Sequence, residues 1–195
     1  MDKLYLDHAA TAPPCVEALT AFNAAAADCY ANPGSLHQAG ADAARLIEKS
    51  RRKISKLLNA DNYQLIFTGT GTESNHLGIS SYAKSGRVLV GSIEHPSAIN
   101  SVEALGNSID VLPVGNDGRV DVEQYKKILA DDVSLICVQW VNNEIGCLQP
   151  LNELIQLTRQ LAPCAHFHVD AIQAAGKFTL HLDQLGADRY AIAAH

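Results

Sequence analysis

The sequence lacks several patterns that would assign it to a particular class of protein. It has no apolar run long enough to span a membrane, and no apolar stretch preceded by positive charge at its N-terminus. It also lacks a Lys/Arg-rich block, and its net charge of -6 argues against a basic surface that would hold nucleic acid or an anionic membrane. We therefore expect a cytoplasmic protein that binds neither nucleic acid nor membrane.

The five cysteines follow no pattern of a cross-linked or metal-binding protein. Their number is odd and no Cys-x-x-Cys pair occurs, so neither a disulfide framework nor a zinc ribbon fits. We expect reduced thiols and predict no metal site. What the sequence does contain is an ordinary globular composition: 47% of its 195 residues are hydrophobic and 18% are charged, which is enough for one sizeable core.

Helix and strand patterns alternate along most of the chain. The predicted helices lie at about 15–29 and 37–58, from about 72, from about 96, and at 122–129 and 151–161. Six short apolar runs are predicted strands: 64–68, 87–91, 109–114, 133–139, 166–169 and 189–193. This alternation is typical of an α/β fold with a mostly parallel sheet and helices on both faces. We predict an extended N-terminal segment, 1–14, followed by one domain, 15–195.

Ligands of parallel α/β sheets bind beyond the carboxyl ends of the strands, so chemistry is expected in the segments that follow them. In TGTGTES, residues 68–74, a glycine loop leads into a helix whose free amides suit a phosphate. Taken alone, a tight turn with a Thr or Ser cap is the better interpretation. The loop matches neither the dinucleotide-binding fingerprint nor the P-loop lysine motif.

Polar groups follow three other predicted strands. An amide of VNNEIG, residues 141–146, could donate to an anionic ligand oxygen, although a turn closed by an Asn side chain is favoured. Asp170 could pair with a protonated pyridine nitrogen or cap a helix, and the two interpretations are equally good. His95 could stack on a planar cofactor, although a histidine before a helix is more often structural.

The order and spacing of these motifs are more specific than any one of them. The segments that succeed one another along nearly the whole chain are YLDHAAT, NPGSLH, FTGTGTES, EHPS, VNNEIG, HVDAIQAAGK and AAH. In this order they resemble the class V aminotransferases and, within them, the cysteine desulfurases. The resemblance implies the large domain of a type I, three-layer transferase that depends on pyridoxal 5′-phosphate (PLP). It covers only the N-terminal part of the family pattern, so the fold would be incomplete at the C-terminus and the small domain absent.

The resemblance implies most of a cofactor site. Gly71 and Thr72 match the loop that holds the cofactor phosphate, and His95 matches the histidine stacked on the pyridine ring. Asn143 and Gln173 match amides near the phenolic oxygen of the ring.

Other matched positions surround the ring nitrogen and the substrate. Asp170 matches the aspartate that keeps the ring nitrogen protonated. Ala10, Thr11 and Asn32 match segments on the substrate side. His195 matches the histidine that immediately precedes the cofactor lysine.

The sequence departs from the family pattern at this last motif. Where the family has Ser-X-His-Lys, the chain has Ala193-Ala194-His195, and the lysine would follow as the next residue. Ala193 also removes a hydroxyl donor to the phosphate, a loss on the order of 1 kcal/mol. Neither Lys177, which family members share, nor Cys147, which matches no family nucleophile, is expected to stand in. We therefore assign no catalytic residue within the chain.

The resemblance implies a cysteine desulfurase, which converts L-cysteine to L-alanine and holds the sulfur as an enzyme-bound persulfide. The implied partners are a sulfur acceptor or scaffold protein of iron-sulfur cluster or thio-tRNA synthesis and, in the complete form, a second copy of the chain. Without its lysine we expect the chain alone to be truncated and inactive. In this fold the strand that follows the lysine inserts between earlier strands, so we also expect exposed edges. The alternatives are a selenocysteine lyase or other class V PLP enzyme, and a non-catalytic PLP-fold binding module.

Overall fold

The computed structural model describes residues 4–82 and 85–194, which form two compact units, residues 4–66 and residues 67–194. The first unit contains two helices, α1 (Val16–Asp28) and α2 (Gln38–Leu57). Both predicted helices are confirmed to within one residue at each end. Helix α2 begins where His37 Nδ1 accepts a hydrogen bond from the Gly40 amide at 3.2 Å, which satisfies one of the free amides of a helix start. The division into 1–14 and 15–195 stays a prediction.

The second unit is built around a parallel sheet. Its elements in chain order are α3 (Gly71–Ser80), β1 (Arg87–Gly91), α4 (Pro96–Glu103), β2 (Ile109–Leu112), α5 (Val122–Ile128), β3 (Val133–Gln139), α6 (Leu151–Leu161), β4 (His166–Asp170), α7 (Leu182–Leu185) and β5 (Arg189–Ala191). The strands lie in the order β2-β1-β3-β4-β5, and every neighbouring pair is parallel. The predicted α/β class is confirmed.

Apolar side chains bury both faces of the sheet. On one face, residues of β1 and β3 pack with α3 and α4 in a core cluster of Ile79, Val88, Val90, Ala98, Val102, Leu135 and Cys137. Side chains alternate along a strand, so Leu89 and Ile136 point to the opposite face, and both are fully buried. Both faces are therefore covered, as the continuously apolar strands predict.

The strand predicted at residues 64–68 is wrong. These residues have no regular secondary structure and pair with no strand in the part of the chain that the structure describes. Ile66 and Phe67 are 59% and 50% exposed. An apolar run becomes a strand only where a neighbour accepts its backbone hydrogen bonds, and the run itself does not reveal that neighbour.

The other five predicted strands are confirmed, with small differences in length. β2 and β5 each end two residues earlier than predicted, and β4 extends one residue further, to Asp170. No pattern in the sequence predicts the one-turn helix α7. Among the described helices, none has the length and apolar content that crossing a membrane requires.

The strand order reverses direction at the carboxyl ends of β1 and β3. The chain passes from β1 to β2 on one side and later adds β3, β4 and β5 on the other. In open α/β sheets the ligand lies at this reversal of direction. The carboxyl ends of β1, β3 and β4 all lie at this edge of the sheet, with His95 and Asn143 in the loops that follow β1 and β3 and Asp170 as the last residue of β4.

Candidate functional site

Asp170 is the buried acid of the site, at the carboxyl end of β4. Its Oδ1 accepts a hydrogen bond from the Ile172 amide at 3.0 Å, and its Oδ2 accepts one from Asn75 Nδ2 at 2.7 Å. Burial raises the pKa of Asp170, while the Ile172 and Asn75 hydrogen bonds and the nearby His95 lower it. A carboxyl group that is buried and yet supplied with donors is suited to face a cationic group of a ligand.

His95 lies at the start of α4, in the loop that follows β1. Its Nδ1 accepts a hydrogen bond from the Ser97 amide at 3.1 Å and contacts Ser97 Oγ at 2.7 Å, which caps the helix. Ser97 Oγ in turn lies 3.0 Å from Asn75 Nδ2. The residue is exposed, so the structure joins His95 to Asp170 through two buried side chains while its ring stays accessible.

The glycine loop opens helix α3 as predicted. Thr70 caps the helix, its Oγ1 accepting from the Glu73 amide at 3.1 Å, and Glu73 Oε2 accepts from the Gly69 amide at 2.6 Å. A Cβ on Gly71 would lie 2.6 Å from Ile172 Cδ1, so a side chain fits there only if Ile172 moves. No described residue accepts a hydrogen bond from the amide of Gly71 or Thr72. The helix start therefore lies against the loop after Asp170 with two amides free.

The loop after β3 takes the turn that the sequence favours. Asn142, rather than Asn143, closes it: its Oδ1 accepts from the amides of Glu144 and Ile145 at 2.9 and 2.8 Å. Asn142 Nδ2 also donates to the Ile93 carbonyl at 3.1 Å, which ties the loops after β1 and β3 together. Asn143 is half-buried beside this turn, and its amide bonds to no described side chain.

Gln173 and the two residues rejected as substitute catalysts have structural contacts. Gln173 Oε1 accepts a hydrogen bond from Lys177 Nζ, and Lys177 is exposed. Cys147 Sγ contacts the Gly118 carbonyl at 3.2 Å and is half-buried. That neither Lys177 nor Cys147 acts as a substitute catalyst stays a prediction.

The remaining candidates lie outside the second unit. Ala10, Thr11 and Asn32 belong to the first unit, where Asn32 Oδ1 accepts from the Gly34 amide at 2.8 Å and closes a turn. Their role on the substrate side stays a prediction. His195 lies outside the described residues.

Sequence reasoning missed the buried polar residues behind the site. Asn75 and His168 are 0% and 1% exposed, and His168 Nε2 lies 3.0 Å from Asn75 Oδ1. Burial lowers the pKa of His168 to about 3, so the ring is neutral at neutral pH. Burial also raises the pKa of Glu94, the residue before His95. The sequence did contain one indication of a buried role for Asn75. It lies four residues before Ile79, so the two residues share a face of α3.

Comparison with known proteins identifies the family. The family model described as aminotransferase class-V matches residues 4–195. The chain belongs to the class V aminotransferases. Cysteine desulfurase IscS of Dictyoglomus turgidum is 35% identical over 201 residues, covering 99% of this chain and 50% of that protein. Cysteine desulfurase NifS of Azotobacter vinelandii is 33% identical, covering 100% of this chain and 50% of that protein.

Solved structures place this class V chain in the same fold. A NifS-like protein from Rickettsia africae superimposes with a TM-score of 0.88 at 32% identity, over 98% of this chain and 54% of that one. A structure titled SspA in complex with cysteine gives a TM-score of 0.89 at 27% identity, over 98% of this chain and 57% of that one. The chain thus spans about half the length of the relatives it matches, and its fold is incomplete relative to theirs.

Proposed function

We propose that this chain supplies the cofactor-binding part of a PLP-dependent cysteine desulfurase, which converts L-cysteine to L-alanine and retains the sulfur as a persulfide. The observation that carries the proposal is Asp170. It is buried, both of its oxygens accept hydrogen bonds, and no described Lys or Arg pairs with it. A carboxylate in such a place needs a cation, and the protonated ring nitrogen of PLP supplies one.

The groups around Asp170 fit the rest of PLP. The free amides of Gly71 and Thr72, at the positive end of the α3 dipole, suit its phosphate. The exposed His95 ring suits a stack on the face of the pyridine. When bound, PLP acts as an electron sink for the carbon of the substrate.

We assign the remaining roles on the family pattern. Asp170 keeps the ring nitrogen protonated, and Asn143 and Gln173 donate to the phenolic oxygen. The Gln173 amide is already oriented by its contact with Lys177. His195 is assigned to the cofactor site as the residue that precedes the cofactor lysine in the family pattern.

We assign the substrate side to the residues that match the substrate-side segments of the family pattern. Ala10, Thr11 and Asn32 would line the space for L-cysteine. The turn that Asn32 makes with Gly34 keeps the Asn32 side chain in a fixed orientation, as a substrate-lining residue requires.

The chemistry itself needs groups that this chain does not contain. We propose that the cofactor lysine, the sulfur-accepting cysteine and an arginine for the substrate carboxylate lie in the half of the relatives that the chain does not match. The chain alone would then be inactive. The complete protein would be a cytoplasmic homodimer that passes sulfur to an acceptor or iron-sulfur scaffold protein.

The test is turnover of L-cysteine by the protein that contains this chain, measured as alanine and, with a reductant, sulfide. We expect equal amounts of both products. Asp170→Asn should lower kcat/KM by about 100-fold or more, because an amide cannot stabilise the protonated ring nitrogen. Asp131→Asn, at an exposed position, is the charge-matched control and should keep full activity. A protein that binds PLP but releases no alanine from L-cysteine would overturn the proposal.

A further inference from the structure

Asn75 is a fully buried amide that contacts three other polar side chains. Its Nδ2 donates to Asp170 Oδ2 at 2.7 Å and to Ser97 Oγ at 3.0 Å, and its Oδ1 lies 3.0 Å from His168 Nε2. Both amide hydrogens and the amide oxygen are therefore used. The residue links the two groups proposed to hold the cofactor ring, Asp170 and His95, from behind.

The direction of each hydrogen bond around Asn75 follows from its partners. An ionised carboxylate only accepts, so the NH₂ group of Asn75 must face Asp170 and its oxygen must face His168. His168 Nε2 must then carry a proton and donate. The other nitrogen of that ring, Nδ1, has no partner among the described residues, so a proton on Nδ1 would have no acceptor.

The same reasoning extends to His95 through Ser97. Ser97 Oγ accepts the second hydrogen of the Asn75 amide, so its own proton is free to be donated, and His95 Nδ1 lies 2.7 Å away. The Ser97 amide, which can only donate, points at the same Nδ1 at 3.1 Å. Both contacts require an unprotonated Nδ1, so the single proton of the neutral ring sits on Nε2.

We propose that Asn75 is a positioning residue that sets the state of two site groups together: it keeps Asp170 as a fixed acceptor and, through Ser97, holds His95 in the Nε2-protonated tautomer. Its effect on the cofactor rests on the function proposed above. One side chain would then orient the partner of the ring nitrogen and the ring that stacks on the cofactor face.

The experiment reads the histidine tautomers directly. The purified protein is labelled with ¹⁵N-histidine, and two-bond ¹H–¹⁵N correlations are recorded without PLP at about pH 8.5, where free imidazole is neutral. His95→Gln and His168→Gln assign the signals. In the wild type we expect both rings to carry their proton on Nε2. A wild-type His95 protonated at Nδ1 would overturn the proposal.

Asn75→Asp keeps the size of the side chain and replaces the donating NH₂ by an acceptor. Ser97 Oγ should then donate to residue 75 instead of His95, so His95 Nδ1 should lose one of its two donors and its resonance should shift, while the Ser97 amide still keeps it unprotonated. His168 should keep its Nε2 proton, because residue 75 still offers it an oxygen. Asn100→Asp, at an exposed position of α4, adds the same charge and should leave both rings unchanged. Unchanged His95 signals in Asn75→Asp would contradict the proposal.

Ser97→Ala separates the two contacts of Asn75 and covers the case in which Asn75→Asp does not fold. It removes the hydroxyl between Asn75 and His95 but keeps the contact of Asn75 with Asp170. We expect the His95 Nδ1 resonance to shift and the His168 resonances to stay unchanged. Unchanged His95 resonances would overturn the proposal that Asn75 acts on His95 through Ser97. Because every spectrum is recorded without PLP, a protein that fails to bind PLP would refute the proposed function and leave this result standing.

Discussion

At the scale of single residues, the site depends on buried polar groups that hydrogen-bond to one another and to the backbone. Asp170 is the clearest case, since both of its oxygens accept hydrogen bonds inside the protein. Buried polar groups are costly unless they are paired, so these contacts fix the conformations of the side chains that make them. A fixed carboxylate costs less to align with a ligand than a mobile one.

His168 makes the folded state sensitive to acid. Burial lowers its pKa from 6.5 to about 3. Between these two pH values His168 is therefore protonated in the unfolded chain and neutral in the folded chain. Stability should therefore fall as the pH drops from about 6.5 towards 3, by as much as about 5 kcal/mol. His168→Gln should remove this part of the pH dependence, measured by urea unfolding across that range. His181→Gln, at an exposed position, should keep it; equal slopes in the two variants would contradict the assignment.

Gly71 tests the close approach of α3 to the loop after β4. Gly71→Ala places a Cβ 2.6 Å from Ile172 Cδ1, which should lower the free energy of unfolding by about 1–3 kcal/mol and weaken PLP binding. Ile172→Val removes the Cδ1 methyl, so the double variant should recover most of the loss, as a double-mutant cycle would show. A Gly71→Ala protein as stable as the wild type would contradict this prediction, because it would show that Ile172 moves aside without a cost in stability.

At the scale of elements, the start of β1 is held by one arginine. Arg87 pairs with Asp110 on β2 at 2.5 Å and with Asp132 before β3 at 2.9 Å, and it donates to the Ile128 carbonyl at 2.9 Å. Asp110 lies on β2 and Asp132 immediately precedes β3, the two neighbours of β1 in the sheet. The contacts thus join the ends of three strands on the side of the sheet opposite the site.

Arg87→Met should destabilise the protein by about 1–2 kcal/mol, because it leaves the Ile128 carbonyl without this donor and leaves two partly exposed carboxylates unpaired. Arg119→Met, at an exposed position, is the control and should change stability by less than about 0.5 kcal/mol. Chemical unfolding measures both. The loss should shrink at high salt, because salt screens the two ion pairs; a loss independent of salt would assign the effect to the carbonyl contact alone.

The elements also show what the sequence could and could not predict. Five strands were predictable because each is a short apolar run between turn residues, and β1 and β3 match their predicted bounds. The run at 64–68 has the same composition and forms no strand, because a strand depends on a partner that the run does not contain. The site residues likewise differ in whether a local sequence pattern predicts them or only contacts with distant residues reveal them. Asp170 and His95 are visible as motifs, whereas the role of Asn75 depends on contacts with residues 22 and 95 positions away.

At the scale of the whole molecule, the chain leaves much apolar surface uncovered. No residue of α1 is buried, and Val16 and Phe22 on that helix are 74% and 70% exposed. Among the described strands, β5 pairs only with β4. Exposed apolar side chains and open sheet edges favour association with other chains.

The chain studied by itself should therefore be marginally stable and prone to aggregation. We expect a broad thermal transition and light scattering that rises with protein concentration, because few contacts would be lost together on unfolding. Calorimetry with parallel light scattering measures both. A sharp, reversible, cooperative transition at high temperature would contradict this expectation.

The central claim, a PLP site built on Asp170, is tested most directly by the affinity for PLP, measured by equilibrium dialysis on the wild type, Asp170→Asn and the exposed control Asp131→Asn. Replacing the carboxylate by an amide removes the partner of the ring nitrogen, so Asp170→Asn should bind PLP about 10- to 100-fold more weakly. Asp131→Asn should bind as the wild type does. Equal affinities in all three proteins would contradict the account.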